Sequence, residues 1–281
     1  MADALPAHAH GATPSSSAAA AMPSPAPTTS SIASVAGLPH PRAHALRPGS
    51  AKEDQVRNFV SDRMDHMTRR FVKKSSGIVA EGEMELDGGE PDVTGYASAA
   101  ELCKDLEGVI NVLWLSGTPS LQVPFLLNIA SEFNTWVAGF PPSPHATFAI
   151  LHKLDHCFAS LLVGEDIETH EALPGFEKGL RAGLTSTDMV RCRSMAQQAR
   201  LVMVEVMKGL MGAEEDGEEE GRVLGDDEVD EEAEESGVDG PPGLAKGMVD
   251  EDAADEICME VGSVYEQTLV RLGDRLGDTL G

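Results

Sequence analysis

Apolar residues recur along this chain at intervals of three and four. They nowhere alternate with polar ones over a run bounded by turns, so the pattern predicts helices and no sheet. The first run is Val56, Val60, Met64, Met67 and Phe71, one narrow stripe on a helix over about 51–74, with Ser50 as a fitting N-cap and Glu53 three residues on. The other faces are charged, so this helix has a single seam to dock, either on the rest of the chain or on a partner. Leu102, Leu106, Val109, Ile110 and Leu113 predict a second helix from near Ser98 to Ser116-Gly117. Thr118-Pro119 restarts the chain, because Pro suits a first helical turn, and Leu121, Phe125, Leu126, Ile129, Phe133 and Trp136 carry a helix over about 119–138. Gly139-Phe140-Pro141-Pro142 closes it. Ser143-Pro144 opens the next, which holds Phe148, Leu151, Leu154, Phe158, Leu161 and Leu162 and stops at Gly164. A loop of about twenty residues, 165–184, follows; loops of that length inside a compact domain tend to be functional or mobile. Thr185, with Asp188 three residues later, opens a helix bearing Met189, Cys192, Met195, Ala199, Val202, Val206 and Leu210. A last amphipathic helix is expected over 250–276, with Ile257, Val261, Val264, Thr268, Leu272 and Leu276 on its apolar face.

The predicted fold class is therefore all-α: an antiparallel bundle of about four core helices with flanking amphipathic helices and disordered, low-complexity ends. The expected organisation is an Ala/Pro/Ser-rich tail over 1–50, an amphipathic helix over 51–76, a linker over 77–97, a helical core over 98–211, an acidic tract over 212–249 and a C-terminal helix over 250–281.

Composition sharpens this picture. Of 281 residues only 4 % are aromatic, and 47 acids face 21 Lys and Arg, a formal net charge of −26. Residues 213–239 alone hold fifteen acids against Arg222. Such a block repels itself and stays extended. The charge disfavours sequence-specific nucleic-acid binding, and no apolar run approaches the roughly 18–20 residues of a bilayer span. Four separated cysteines, Cys103, Cys157, Cys192 and Cys258, sit in apolar helical patterns and read as packed free thiols in a reducing compartment. The cluster Arg69-Arg70-Phe71-Val72-Lys73-Lys74 suits a nuclear localisation signal or, equally, the solvated C-terminal turn of a helix.

Candidate chemistry is sparse. His152 and His156 stand four apart, as metal-ligating histidines on one helix face do, but Lys153 occupies the position at which a zinc peptidase carries its general base, and two ligands fall short of three or four. They read as half-exposed surface histidines. Cys157 follows His156 directly, and neighbours in a helix do not face each other. Glycine-rich phosphate loops, GxSxG and CxxC are absent from the sequence. The chain is thus expected to have no catalytic residues, no metal and no cofactor. Met189, Met195, Met203, Met207 and Met211 suit either an adaptable binding stripe or plain core.

The stretches SLQVPFLLNIASEF, FPPSPHATFAILHKLDHCFASLLVG and MVRCRSMAQQARLVMVEVM resemble a fungal family of accessory subunits of the general transcription factor TFIIH, the subunit 11 family, over about 98–211. The resemblance implies a non-enzymatic nuclear protein that associates with TFIIH and promotes release of its DNA-translocase subunit. Alternatives are a chaperone that offers the acidic tract to histones or other basic proteins, and an accessory protein of meiotic recombination. Partner contact is expected from the stripe Val56, Val60, Met64, Met67 and Phe71, from the corner Pro141, Pro142 and Pro144, and from the 165–184 loop.

Overall fold

A computed structural model describes residues 36–76, 93–211 and 251–277. The tail up to 35, most of the expected linker (77–92), the acidic tract (212–249), and residues 250 and 278–281 of the expected C-terminal helix lie outside these residues. Among the described residues there are seven α-helices: α1 (Ala51–Ser75), α2 (Ala99–Ser116), α3 (Pro119–Val137), α4 (Pro144–Val163), α5 (Ser186–Met207), α6 (Glu251–Ser263) and α7 (Glu266–Leu276). They contain no strand, only an isolated antiparallel bridge between Glu165 and Ala172. The all-α bundle expected from the periodicity is the fold observed.

The helix ends follow their local chemistry. Ser98 caps α2 by accepting from the Glu101 N–H, and Thr185 and Asp188 form a reciprocal capping box on α5. On α1 the box is rearranged. Ser50 accepts from the Glu53 N–H, but the Glu53 carboxylate reaches past Ser50 to the Gly49 N–H at 2.6 Å. Pro119 and Pro144 stand in the first turns of α3 and α4, where no N–H is needed. Gly164 ends α4 with φ +79°, and a Cβ there would come within 2.9 Å of both Phe176 and Leu180, so only glycine fits.

Helix α4 is the axis of the molecule. It packs against α2, α3 and α7, and fourteen of its residues are buried. By length and composition it could span a membrane, contrary to the expectation from the sequence, but 78 % of that apolar window is buried inside the bundle. Its apolarity belongs to a core position.

Three expectations change. The C-terminal helix is two helices, broken at Val264-Tyr265, where Tyr265 takes φ +55° and buries its ring. An L-residue rarely adopts that conformation unless packing compensates, and periodicity carries no trace of it. The tail is not featureless to residue 50: Leu38 and Leu46 are buried against the bundle. Finally, α1, α6 and α7 share one apolar core with α2–α5, so the bundle extends well beyond 98–211.

Candidate partner-binding surfaces

The α1 stripe is spent within the chain. Val60 and Met67 are fully buried, Met64 nearly so, and Val56 and Phe71 are partly buried against the same core. Phe71 stacks obliquely near Trp136 and Phe140, with ring centroids 5.8 and 6.0 Å away. An ionic cluster fixes the helix from the side. Arg70, 13 % exposed, donates to Asp105 Oδ2 at 3.0 Å, to Glu101 and to the Thr94 carbonyl, and its guanidinium lies 3.9 Å over the Tyr96 ring. The Tyr96 hydroxyl donates to the same Asp105 oxygen at 2.9 Å, and Arg63 pairs with the other at 3.1 Å. The Arg70 guanidinium, joined by the Ala97 N–H, holds the Glu101 carboxyl below its usual range. Lys74 lies over the Phe140 ring and donates to the Gly139 carbonyl. Part of the basic cluster at 69–74 is therefore committed to intramolecular contacts. This stripe is a docking seam for the chain's own core, the other choice its pattern left open.

The proline corner is different. Pro141 and Pro142 are exposed. Pro144 lines a cleft of about 380 Å³ between α4 and α6, together with Phe148, Ala149, Ile257, His145, His152, Glu256 and Glu260. His152 pairs with Glu260 across it at 2.8 Å.

His156 does not join His152. It is buried, 4 % exposed, with Nε2 3.2 Å from Asp166, Nδ1 3.5 Å from Glu168 and its ring edge-on to Trp114. The half-exposed surface position expected for it is corrected: α4 is central, so its loop-facing side is covered. Burial works against ionisation of Asp166, but the Thr169 and Glu168 N–H groups and His156 outweigh it, and the carboxyl stays below its ordinary range. This cluster ties the first half of the 165–184 loop to α4, while Leu173, Phe176 and Leu184 bury the second half. The loop presents Glu168–Ala172 and Glu177–Arg181 to solvent. Among the described residues no group of three or more His, Cys, Asp or Glu is arranged to hold a metal ion.

Cys103, Cys157 and Cys192 are buried, and burial raises all three thiols, Cys103 and Cys192 to about 12. Cys258 is exposed, against expectation, because α6 covers the bundle with a narrow face only. The methionine question resolves by position. Met189, Met195, Met203 and Met207 are core. Val202, Val206 and Met211 are half-buried against the same core.

Sequence reasoning missed a set of exposed apolar side chains. Val190, Leu201 and Val204 on α5 are 59 %, 73 % and 47 % exposed, and Met259 on α6 is 77 % exposed. The available signal was the set of apolar residues left over once the core stripe of α5 had been assigned.

Comparison with known proteins bears on what these surfaces serve. The family model described as subunit 11 of the general transcription factor TFIIH matches residues 95–273. An uncharacterized protein of Schizosaccharomyces pombe is 26 % identical over 125 residues, 43 % of this chain and 69 % of that relative. No solved structure matches. The family match takes in α2 to α6 whole and α7 short of its last turn, together with the 165–184 loop. That match covers more than half of the chain, and the chain belongs to the TFIIH subunit 11 family.

Proposed function

We propose that this chain is a non-enzymatic nuclear regulatory subunit that associates with TFIIH and promotes release of its DNA-translocase subunit during transcription. The observation that carries the reading is the family match over α2–α7. The contact surface is the Pro141-Pro142-Pro144 corner with the neighbouring α4–α6 cleft, the exposed rim of the 165–184 loop and the apolar face of α5. These surfaces are exposed, and proline and aliphatic residues on a rigid scaffold are what a protein partner desolvates. The test is in two steps. The tagged full chain is purified from nuclear extract at moderate salt and its co-eluting proteins identified; recovery of TFIIH subunits is expected. Full chain is then added to immobilised TFIIH, and the translocase subunit is followed into the supernatant. Co-elution without dose-dependent release would keep the association and remove the release activity.

A second reading rests on the fifteen acids at 213–239, which would engage histones or another basic protein. A chain without 213–239 loses histone binding under that reading and retains TFIIH under the first.

A further inference from the structure

Residues 36–46 carry no helix, and they are held along the bundle by their backbone. The Ala36 N–H donates to Glu168 Oε1 at 3.2 Å, the Gly37 carbonyl accepts from Lys153 Nζ, the Arg42 N–H donates to the Leu115 carbonyl at 3.4 Å, and the Leu46 N–H donates to Thr118 Oγ1 at 2.9 Å. Two side chains, Leu38 and Leu46, are buried, at 5 % and 6 % exposure. His40 meets Glu171 at 2.9 Å on the outer rim. Gly37 has φ +64°, a conformation that favours glycine, and a Cβ there would stand 3.3 Å from Lys153 Nζ, so the strap runs close to the lysine.

Lys153 is the unusual member. Its side chain is 5 % exposed on the central helix, and it reaches Gly37, Asn111 Oδ1 at 3.3 Å and the half-exposed Glu107 at 3.3 Å. A buried ammonium is costly unless its donors are satisfied, and here a backbone carbonyl of the strap supplies part of the satisfaction. Recognition through backbone groups with pockets for spaced side chains is how folded domains bind extended peptides.

The receiving residues Leu115, Thr118, Lys153, Glu168 and Glu171 all lie within the family match at 95–273, and the strap precedes it. We propose that the surface these residues form is an extended-peptide-binding site that residues 36–46 fill in cis, and that a partner protein's extended segment competes for it. The segment that fits carries leucines eight residues apart, a glycine before the first and a basic or imidazole side chain opposite Glu171. An occupant tethered in cis acts at high effective concentration, so the strap sets the threshold for a competitor. This inference does not depend on the translocase reading, because its readout is peptide binding by the isolated chain.

The test uses the full chain and a fluorescent peptide of residues 36–48. Leu38→Asp with Leu46→Asp, introduced together, should expel the strap with helix content unchanged by circular dichroism. That variant should bind the peptide at least tenfold more tightly than the wild-type chain, and adding Lys153→Met should weaken binding again. A helical variant that binds no better than wild type overturns the proposal, as does equal binding of a peptide with both leucines replaced by aspartate. Should the double variant lose helix content, a full chain carrying a specific protease site between the exposed Arg47 and Pro48 is cut after folding. The cut chain is expected to exchange its strap for labelled peptide in excess, and absence of exchange overturns the proposal.

Discussion

Asp155 shows how one side chain can hold two elements. It lies on α4, yet its carboxylate accepts from the Thr268 N–H at 2.8 Å and the Gln267 N–H at 3.2 Å, while its carbonyl accepts from the Thr268 hydroxyl at 3.1 Å. The N-cap position of α7 belongs to Tyr265, which offers no capping side chain, so the cap comes from a different helix. Burial raises the Asp155 carboxyl, and the Thr268 and Gln267 donors counter this only in part. Asp155→Ala should cost about 1 kcal/mol, the size of a lost cap, in urea unfolding, and should speed hydrogen exchange at Gln267 and Thr268 before other amides. Asp166 has the opposite sign. Its folded-state value is depressed, so its contribution is present above the unfolded value, ~3.9, and is lost as pH falls through the folded value. Asp166→Asn should therefore flatten the acid limb of a stability–pH profile below about pH 4. A profile identical to wild type would show that the loop cluster is not coupled to folding.

Helix α1 illustrates what a stripe can and cannot tell. Its apolar spacing specifies one face to be buried, and its charged faces look solvated. In the structure Arg70 is nearly enclosed by Asp105, Glu101, Tyr96 and the Thr94 carbonyl, and it bonds α1 to α2 and to the segment before it. Removing one partner of such a cluster leaves the others buried without compensation. Arg70→Met should cost about 2 kcal/mol, below the range for fully buried pairs because Glu101 reaches solvent. A double-mutant cycle with Asp105→Asn should recover part of that loss, because the second substitution removes the charge left unpaired. Simple additivity of the two would mean that they do not interact. The 165–184 loop is a second case at this scale. Its glycines and Pro174 forecast a connection without long helices, but not that His156 and Asp166 would tie it down, because that pair joins residues ten apart through a turn that no spacing rule describes.

At the scale of the molecule, the described residues belong to one compact unit, Ala33–Gly281, whose core draws on all seven helices. Truncation is therefore a blunt tool. A chain lacking residues 1–76 would expose the seam that Val60, Met64 and Met67 cover, each worth roughly 1.5–3 kcal/mol when buried. It should melt at lower temperature and bind a hydrophobic dye, so that any loss of partner binding would report unfolding. Surface substitutions in the full chain avoid this. Leu201→Asp, and Pro141→Ser with Pro142→Ser, should leave the melting temperature within a few degrees of wild type, because the residues replaced are exposed. Weaker TFIIH co-elution at unchanged stability would assign the contact, and unchanged co-elution would remove those residues from it.

The helical class and the positions of α2 to α4 within a residue or two were legible in the chain itself, as was the start of α5, because a 3.6-residue period, capping side chains and prolines in first turns are local properties; the α1 stripe was legible as an apolar seam, but not that the chain's own core rather than a partner covers it. The family was legible too, in helix-packing stretches that the family match then covered. What only the tertiary structure decided are matters of long-range pairing. These are the break of the last helix at Tyr265, the cap that α7 takes from Asp155, the burial of His156, the strap over Lys153 and the leucine and valines left exposed on α5. Each sets groups far apart in sequence within a few ångströms of one another, or leaves a side chain without a neighbour. A periodic pattern states which face is apolar, whereas the arrangement of the other helices determines what covers it.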